Sequence, residues 1–299
     1  MSIGDRFIRK MDRLLRGAPV RERVVLKVVD SSARRPMKPG FLIGVYRSGT
    51  TLMRYVLDSH SRIAVPPETN FLYPAAELWR SEWSRKGLKG AGIDDEGLSS
   101  RLRDFAGGVL SDYAVAKGKS RWMDKTPAYI DVLDFLDFVF GGECRYLMLY
   151  RHGLDVAHSL ATTYERGMLG GPPRDFAMAS GEPPRIAFAR YWAEQCEKMI
   201  AFEAKRPAQC LRVRYEDYST EPEKNLRPVF SFLGEEWEPG VLDFNARPHD
   251  FGLQDSKIAD TRTFDARIGT YSCWTDDEKR AAGAIIRPTM AKLGYEVSR

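Results

Sequence analysis

Short apolar runs alternate with amphipathic stretches along most of this chain. Phe41–Tyr46, Arg62–Val65, Arg121–Met123, Arg145–Tyr150 and Gln209–Tyr215 are brief and rich in apolar or β-branched residues. Runs of this kind suit strands buried on both faces of a parallel sheet. Helical spacing marks Thr51–Ser59, Tyr129–Phe140, Leu154–Arg166, Arg185–Arg206, Glu221–Leu233 and Asp276–Leu293. Thr275 stands before the last as an N-cap, with acids in the first turn. The alternation predicts a doubly wound α/β architecture: a parallel sheet of about five strands with helices on both faces. Two stretches fit neither period. Gly167–Pro184, rich in Gly and Pro, reads as a loop or lid, and Phe244–Trp274 is long, polar and weakly periodic. Long loops in compact domains are usually functional.

The first strand runs into Gly44-Val45-Tyr46-Arg47-Ser48-Gly49-Thr50-Thr51, which opens the first helix. A strand, a glycine-bounded loop and a helix start form a phosphate cradle, because loop amides and the positive helix end converge on an anion. The spacing is that of a P-loop, G-x-x-x-x-G-x-[ST], but Thr50 stands where the lysine belongs. That lysine reaches the β/γ-phosphates of a triphosphate. Its absence points to a phosphate ligand other than ATP or GTP, with Arg47 as the cation. A three-layer, P-loop-like fold follows. A second anion site is suggested by Arg151, at the end of a strand, and Ser159, about two turns into the next helix. The bland alternative pairs Arg151 with Asp155.

Charge and composition narrow the classes. Residues 1–38 hold eleven Lys/Arg against four acids, so that segment is +7 and the remainder −2. Nucleic-acid binding by the body of the chain is not indicated. The basic segment reads as a helical extension preceding a single domain over 39–299. Phe7, Ile8, Met11, Leu14 and Leu15 share one helical face within residues 5–16. Docking on the core is preferred for that helix over peripheral membrane contact. No uninterrupted apolar h-region or membrane-length run is present. Cys144, Cys196, Cys210 and Cys273 form no C-x-x-C pair and read as buried free thiols of a reducing, cytoplasmic compartment. No metal-ligand spacing appears.

At this point the motifs resemble a known family. The loop Arg47-Ser48-Gly49-Thr50-Thr51-Leu52, the Arg151…Ser159 pair and Arg214-Tyr215-Glu216-Asp217-Tyr218 are similar to the sulfotransferases that use 3′-phosphoadenosine 5′-phosphosulfate (PAPS). Gly44–His60 is especially similar to the tyrosylprotein sulfotransferase branch. The resemblance implies that Arg47, Ser48, Gly49, Thr50, Thr51 and Leu52 hold the 5′-phosphosulfate, and Arg151 and Ser159 the 3′-phosphate. It places Tyr215 at the cofactor. Arg267-Ile268-Gly269 resembles the R-K-G segment that closes over the 3′-phosphate in cytosolic sulfotransferases, with Ile268 contributing only its backbone N–H. Thr261 matches a serine near the bridging oxygen. The implied donor is PAPS, with no metal required.

Sulfuryl transfer needs a base for the acceptor hydroxyl and cations along the S–O–P axis. Glu68, twenty-one residues after Arg47, matches the catalytic glutamate of the tyrosylprotein branch. Lys125, before Thr126-Pro127, resembles the lysine that stabilises the leaving oxygen, with Asp124 placed to orient it. The alternatives are a solvated or helix-capping Glu68, and a Lys125 paired with Asp124 or Asp131. His60 sits at a D-x-H position that reads as structural. His152 and His158 flank the cofactor motif rather than follow Lys125. Glu68 is therefore preferred to these and to His249. The acceptor is a hydroxyl on a peptide tyrosine, a sugar or a small molecule, and Gly167–Pro184 is where acceptor contacts are expected. A small-molecule kinase and a non-catalytic nucleotide-binding module are the rival readings. The sequence sets no oligomeric state.

Overall fold

The computed structural model describes residues 38–170, 172–176, 178, 181–250 and 263–296. The N-terminal helix expected over residues 5–16, most of the 1–38 extension and Thr261 lie outside the described residues.

The described chain runs β1 (Gly40–Gly44), α1 (Thr50–Asp58), β2 (Ile63–Ala64), α2 (Leu72–Arg80), α3 (Glu82–Gly90), α4 (Asp95–Ala116), β3 (Arg121–Trp122), α5 (Leu133–Phe140), β4 (Arg145–Tyr150), α6 (Gly153–Glu165), α7 (Pro184–Lys205), β5 (Cys210–Arg214), α8 (Tyr215–Thr220), α9 (Pro222–Leu233) and α10 (Asp276–Lys292). Among the described residues every strand pairing is parallel. Alternation along β1 and β4 sorts the core into two layers. Phe41, Ile43, Tyr146, Met148 and Tyr150 pack with α4, α5, α6, α7 and α10, whereas Leu42, Leu147 and Leu149 pack with α1, α8 and α9. Residues one apart on a strand point to opposite faces, so this split is the signature of helices on both sides of the sheet.

The sheet is less continuous than the five expected strands imply. β1, β4 and β5 form one three-stranded ladder in the order β1-β4-β5, and β2 and β3 form a separate pair. Among the described residues one bridge, Phe41 with Asp124, joins the two, with Leu42 N–H donating to Asp124 O at 2.9 Å and Asp124 N–H to Gly40 O at 3.0 Å. β2 is short because Pro66 and Pro67 follow it and supply no N–H to a ladder.

Other boundaries also move. Tyr215 begins a helix rather than ending a strand. Pro127–Val132 winds as a 3-10 turn before α5. Thr275 caps α10 as expected, in a reciprocal box with Glu278. α3 and α4 were not anticipated. Ser81 caps the first of them and Asp94 the second, each side chain accepting a backbone N–H of its helix's first turn.

Candidate active site

The carboxyl ends of β1, β2, β3 and β4 release the loops that carry the candidate residues, as parallel α/β sheets do at ligand sites. After β1 the chain turns sharply. Ser48 N–H returns to Val45 O at 3.1 Å, Arg47 sits at φ 70°, and Gly49 at φ 90° immediately precedes α1. Gly49 is required here. A Cβ would lie 2.4 Å from a ring carbon of Tyr215 and 2.8 Å from the Tyr218 hydroxyl. No side chain caps α1, so its first-turn N–H groups have no side-chain acceptor. Thr50 does not replace the missing lysine. Its methyl packs over Gly44, where an added Cβ would meet it at 2.9 Å. Ser48 Oγ is fully buried without a hydrogen-bond partner.

Arg151 joins this loop to two others. Its guanidinium donates to Arg47 O at 2.8 Å and Arg267 O at 2.5 Å, and lies over the Tyr215 ring, 4.5 Å from its centroid. Arg151 Nε is buried and without a partner. Arg47 Nε donates to Ser159 Oγ at 3.0 Å, so the two sequence-distant anion motifs meet. Asp155 is not the partner of Arg151. Fully buried in α6, it accepts from Gly269 N–H at 3.0 Å and from both the N–H and hydroxyl of Thr270 at 2.6 Å. It thereby anchors the turn that brings Arg267 O to Arg151. Tyr215 braces the same turn, donating to Asp265 O and accepting from Arg267 N–H, each at 3.2 Å. Two expectations for this segment change. The Ile268 N–H goes to Ala266 O at 3.1 Å rather than toward a ligand, and Gly269 N–H is taken by Asp155. Gly269, at φ 70°, shapes the turn. The Arg267 side chain itself is 63% exposed.

Glu68 and Lys125 meet although 57 residues separate them. Lys125 Nζ donates to Glu68 Oε1 at 2.5 Å, with Lys125 fully buried. The loops after β2 and β3 are stitched together beneath this pair. Thr69 N–H donates to Thr126 Oγ1 at 3.2 Å, and the Thr69 and Thr126 hydroxyls donate to the Asp124 carboxylate at 2.6 and 3.0 Å. Lys125 thus pairs with neither Asp124 nor Asp131, and the latter is held by Lys198 at 2.6 Å. Glu68 caps no helix, since α2 starts without a side-chain cap. Burial drives the Lys125 ammonium below its ordinary value against the pull of Glu68. Burial likewise pushes Asp124 up to about 6, despite its two hydroxyl donors. Asp124 therefore touches the threonines that hold the two loops rather than Lys125.

A match to the sulfotransferase family spans residues 39–239. The chain belongs to that family. It is 28% identical over 271 residues to protein-tyrosine sulfotransferase 1 of Danio rerio, covering 86% of this chain and 72% of the relative. It is also 28% identical over 280 residues to the nodulation protein NoeE of Sinorhizobium fredii, covering 86% and 66% respectively. Among solved structures, the sulfotransferase domain from the curacin biosynthetic pathway shares the fold with a TM-score of 0.59 at 19% identity, covering 89% of this chain and all of that one.

In this sulfotransferase the histidines are engaged away from the Glu68–Lys125 pair. His60 bonds Glu236 O at 2.9 Å and stacks on Phe230. His249 lies between Asp58 and Phe244 O, at 2.9 and 2.7 Å. His158 accepts from the Trp274 indole at 3.0 Å, and His152 stacks on Tyr271. All four thiols are free, but only Cys144 and Cys196 are buried, and Cys273 is exposed. Among the described residues no acidic, His or Cys group could hold a metal, and no helix is long and apolar enough to cross a membrane. Nothing in the fold or the comparisons supports the expected cytoplasmic location. Arg54 and Asp155 are the residues that sequence reasoning left without a role. Arg54, fully buried in α1, donates through Nε to Val65 O and Pro66 O, at 3.0 and 2.9 Å, just before Glu68.

Proposed function

We propose that this sulfotransferase moves the sulfuryl group of PAPS to an acceptor hydroxyl, with Glu68 as the base. The observation that carries the reading is the Glu68–Lys125 contact beside a lysine-free anion cradle. The cradle suits a multiply charged nucleotide. It offers an uncapped helix start, a buried Ser48 hydroxyl and a buried Arg151 Nε, both unpartnered, and a glycine where any side chain would collide with Tyr215.

PAPS supplies an activated sulfuryl group and a stable bisphosphate leaving group. The residues divide the remaining work. Ser48 and the amides of Gly49 to Leu52 hold the 5′ end, and Arg151, Ser159 and the exposed Arg267 side chain hold the 3′ end, with Gly269 shaping the turn that carries Arg267. Glu68 takes the acceptor proton as the hydroxyl oxygen bonds to sulfur. Lys125 would stabilise charge on the departing bridging oxygen, and Arg47 would share the charge of the sulfuryl oxygens. A buried ammonium acts strongly here because little water screens it. The same domain is taken to span residues 39–299.

A kinase is disfavoured because the position of the P-loop lysine holds a threonine methyl packed on Gly44. A binding-only module leaves a buried Lys125 paired with Glu68 without a purpose. Glu68→Gln is the test. Turnover of labelled PAPS should fall by about two to four orders of magnitude, the usual weight of a general base. Affinity for adenosine 3′,5′-bisphosphate should stay unchanged. Loss of that affinity instead would make Glu68 a structural residue.

A further inference from the structure

A buried contact between Asp58, at the far end of α1, and His249 has no part in the chemistry above. Each side chain is only 5% exposed, and His249 Nδ1 lies 2.9 Å from Asp58 Oδ2. The other ring nitrogen, Nε2, lies 2.7 Å from Phe244 O. A carbonyl oxygen and an ionised carboxylate accept hydrogen bonds and cannot donate them. A neutral imidazole carries one N–H, so it satisfies one of these contacts and sets a lone pair against the other. Only the imidazolium donates to both. The Tyr55 ring stacks on His249 with centroids 4.4 Å apart and 9° between the planes, and aromatic faces attract cations. Burial opposes ionisation of Asp58, yet the His249 hydrogen bond and then Lys119 bring its carboxyl down to about 2.

Asp58 and Arg54, one turn apart on α1, grip the chain just before Glu68. Asp58 Oδ1 accepts from Val65 N–H at 3.0 Å, while Arg54 Nε donates to Val65 O and Pro66 O. Both backbone polar groups of Val65 are thus held by α1, three residues before Glu68. Arg54 also reaches the His249 segment, donating to Asp250 O at 2.9 Å. The other charges at this end come from α4 and the turn after it. Lys119 donates to Asp58 O and lies 3.3 Å from Asp58 Oδ1. Lys117 lies 2.7 Å from Asp250 Oδ2, and the Tyr113 hydroxyl donates to the same oxygen at 2.8 Å. Arg247 is near enough to oppose the charge of Lys119.

We infer that His249 is a positioning residue that acts as the imidazolium, fixing Asp58 and Arg54 and, through their bonds to Val65 and Pro66, the loop that carries Glu68. The inference rests on the reading of Glu68 as the base. When the ring loses a proton, the remaining N–H stays with the Asp58 carboxylate, because the charge-assisted bond is the stronger. Nε2 then meets Phe244 O lone pair to lone pair. The Phe244–Asp250 segment has to shift, and Asp250 O leaves Arg54 with it.

The test uses the full chain and no turnover, so its failure is read separately from a failure of Glu68 as the base. Nuclear magnetic resonance of isotope-labelled protein at about pH 6, where imidazole and imidazolium are told apart, should show both His249 ring nitrogens protonated. A bare ring nitrogen overturns the inference. The Glu68 carboxyl carbon is assigned as the signal missing from Glu68→Gln. His249→Gln, whose amide carries no charge, should displace that signal and speed hydrogen exchange at Val65 N–H by about tenfold, the weight of one hydrogen bond. Affinity for adenosine 3′,5′-bisphosphate should stay within about twofold of wild type. An unmoved Glu68 signal or unchanged Val65 exchange overturns the inference. So does loss of bisphosphate binding, which would make His249 a residue of the whole fold rather than of the Glu68 loop. If that variant does not fold, titration of the wild type replaces it. The Glu68 signal should then move at the pH where the His249 nitrogens lose their proton, and a signal that moves elsewhere or not at all refutes the coupling.

Discussion

Replacing Asp155 with alanine should weaken nucleotide binding although Asp155 touches no candidate ligand atom. The carboxylate anchors the Arg267–Thr270 turn through three hydrogen bonds, two to backbone N–H groups and one to a hydroxyl. The Thr270 hydroxyl can turn to water after truncation, whereas the two N–H groups are fixed by the turn. Gly269 and Thr270 are half-buried, so water recovers part of each loss. The cost then sits at the low end, about 1 kcal/mol for each N–H, or about 2 kcal/mol in all. If the ligand must restore the turn against Arg151, the bisphosphate Kd rises by about thirtyfold. Calorimetric titration of the full chain with adenosine 3′,5′-bisphosphate measures this, with a thermal melt in parallel. Asp155→Asn, which keeps one acceptor oxygen, should fall between wild type and alanine. A variant that melts lower yet binds the bisphosphate within about twofold of wild type would refute the anchoring role.

Gly49→Ala should abolish bisphosphate binding or soluble expression, since its Cβ would lie 2.4 Å from the Tyr215 ring at a φ of 90°. Binding as wild type would show that the loop yields. Asp124 has a folded-state pKa raised from 3.8 to about 6, so its ionisation opposes folding as pH rises through that window. Asp124→Asn should accordingly gain Tm relative to wild type between these pH values and keep the gain above them. A gain that shrinks with rising pH contradicts the buried carboxylate. Cys273 is exposed, whereas Cys144 and Cys196 are buried with their thiols pushed up by burial. Cys273→Ser should therefore remove the fast phase of thiol titration in the native protein, and persistence of that phase would place it at Cys210.

The parts of this site written in contiguous residues were legible in the sequence. The Gly44–Thr51 loop is one, and Arg151 with Ser159, on a strand end and the helix after it, is another. Glu68 and Lys125 could be named as members of two loops, but their contact depends on the parallel pairing of β2 with β3. Asp155 entered only in the alternative reading of Arg151, for a related reason. Sequence proximity suggested Arg151 as its partner, but the turn it holds lies 114 residues away. α4 escaped because its buried positions, Leu98, Leu102, Ala106, Leu110 and Ala114, share their helix with exposed Phe105, Val109 and Val115, which blur the amphipathic stripe. β2 stops early at Pro66 and Pro67, which the apolar run Arg62–Val65 does not report.

Arg54 ties the two ends of the chemistry to one helix. α1 begins at the anion cradle and, one turn later, holds the carbonyls of Val65 and Pro66 that lead to Glu68. The spacing between the donor's phosphosulfate end and the proton acceptor is thus set by a single rigid rod and one guanidinium. A substitution that leaves α1 and Arg54 in place therefore leaves that spacing in place.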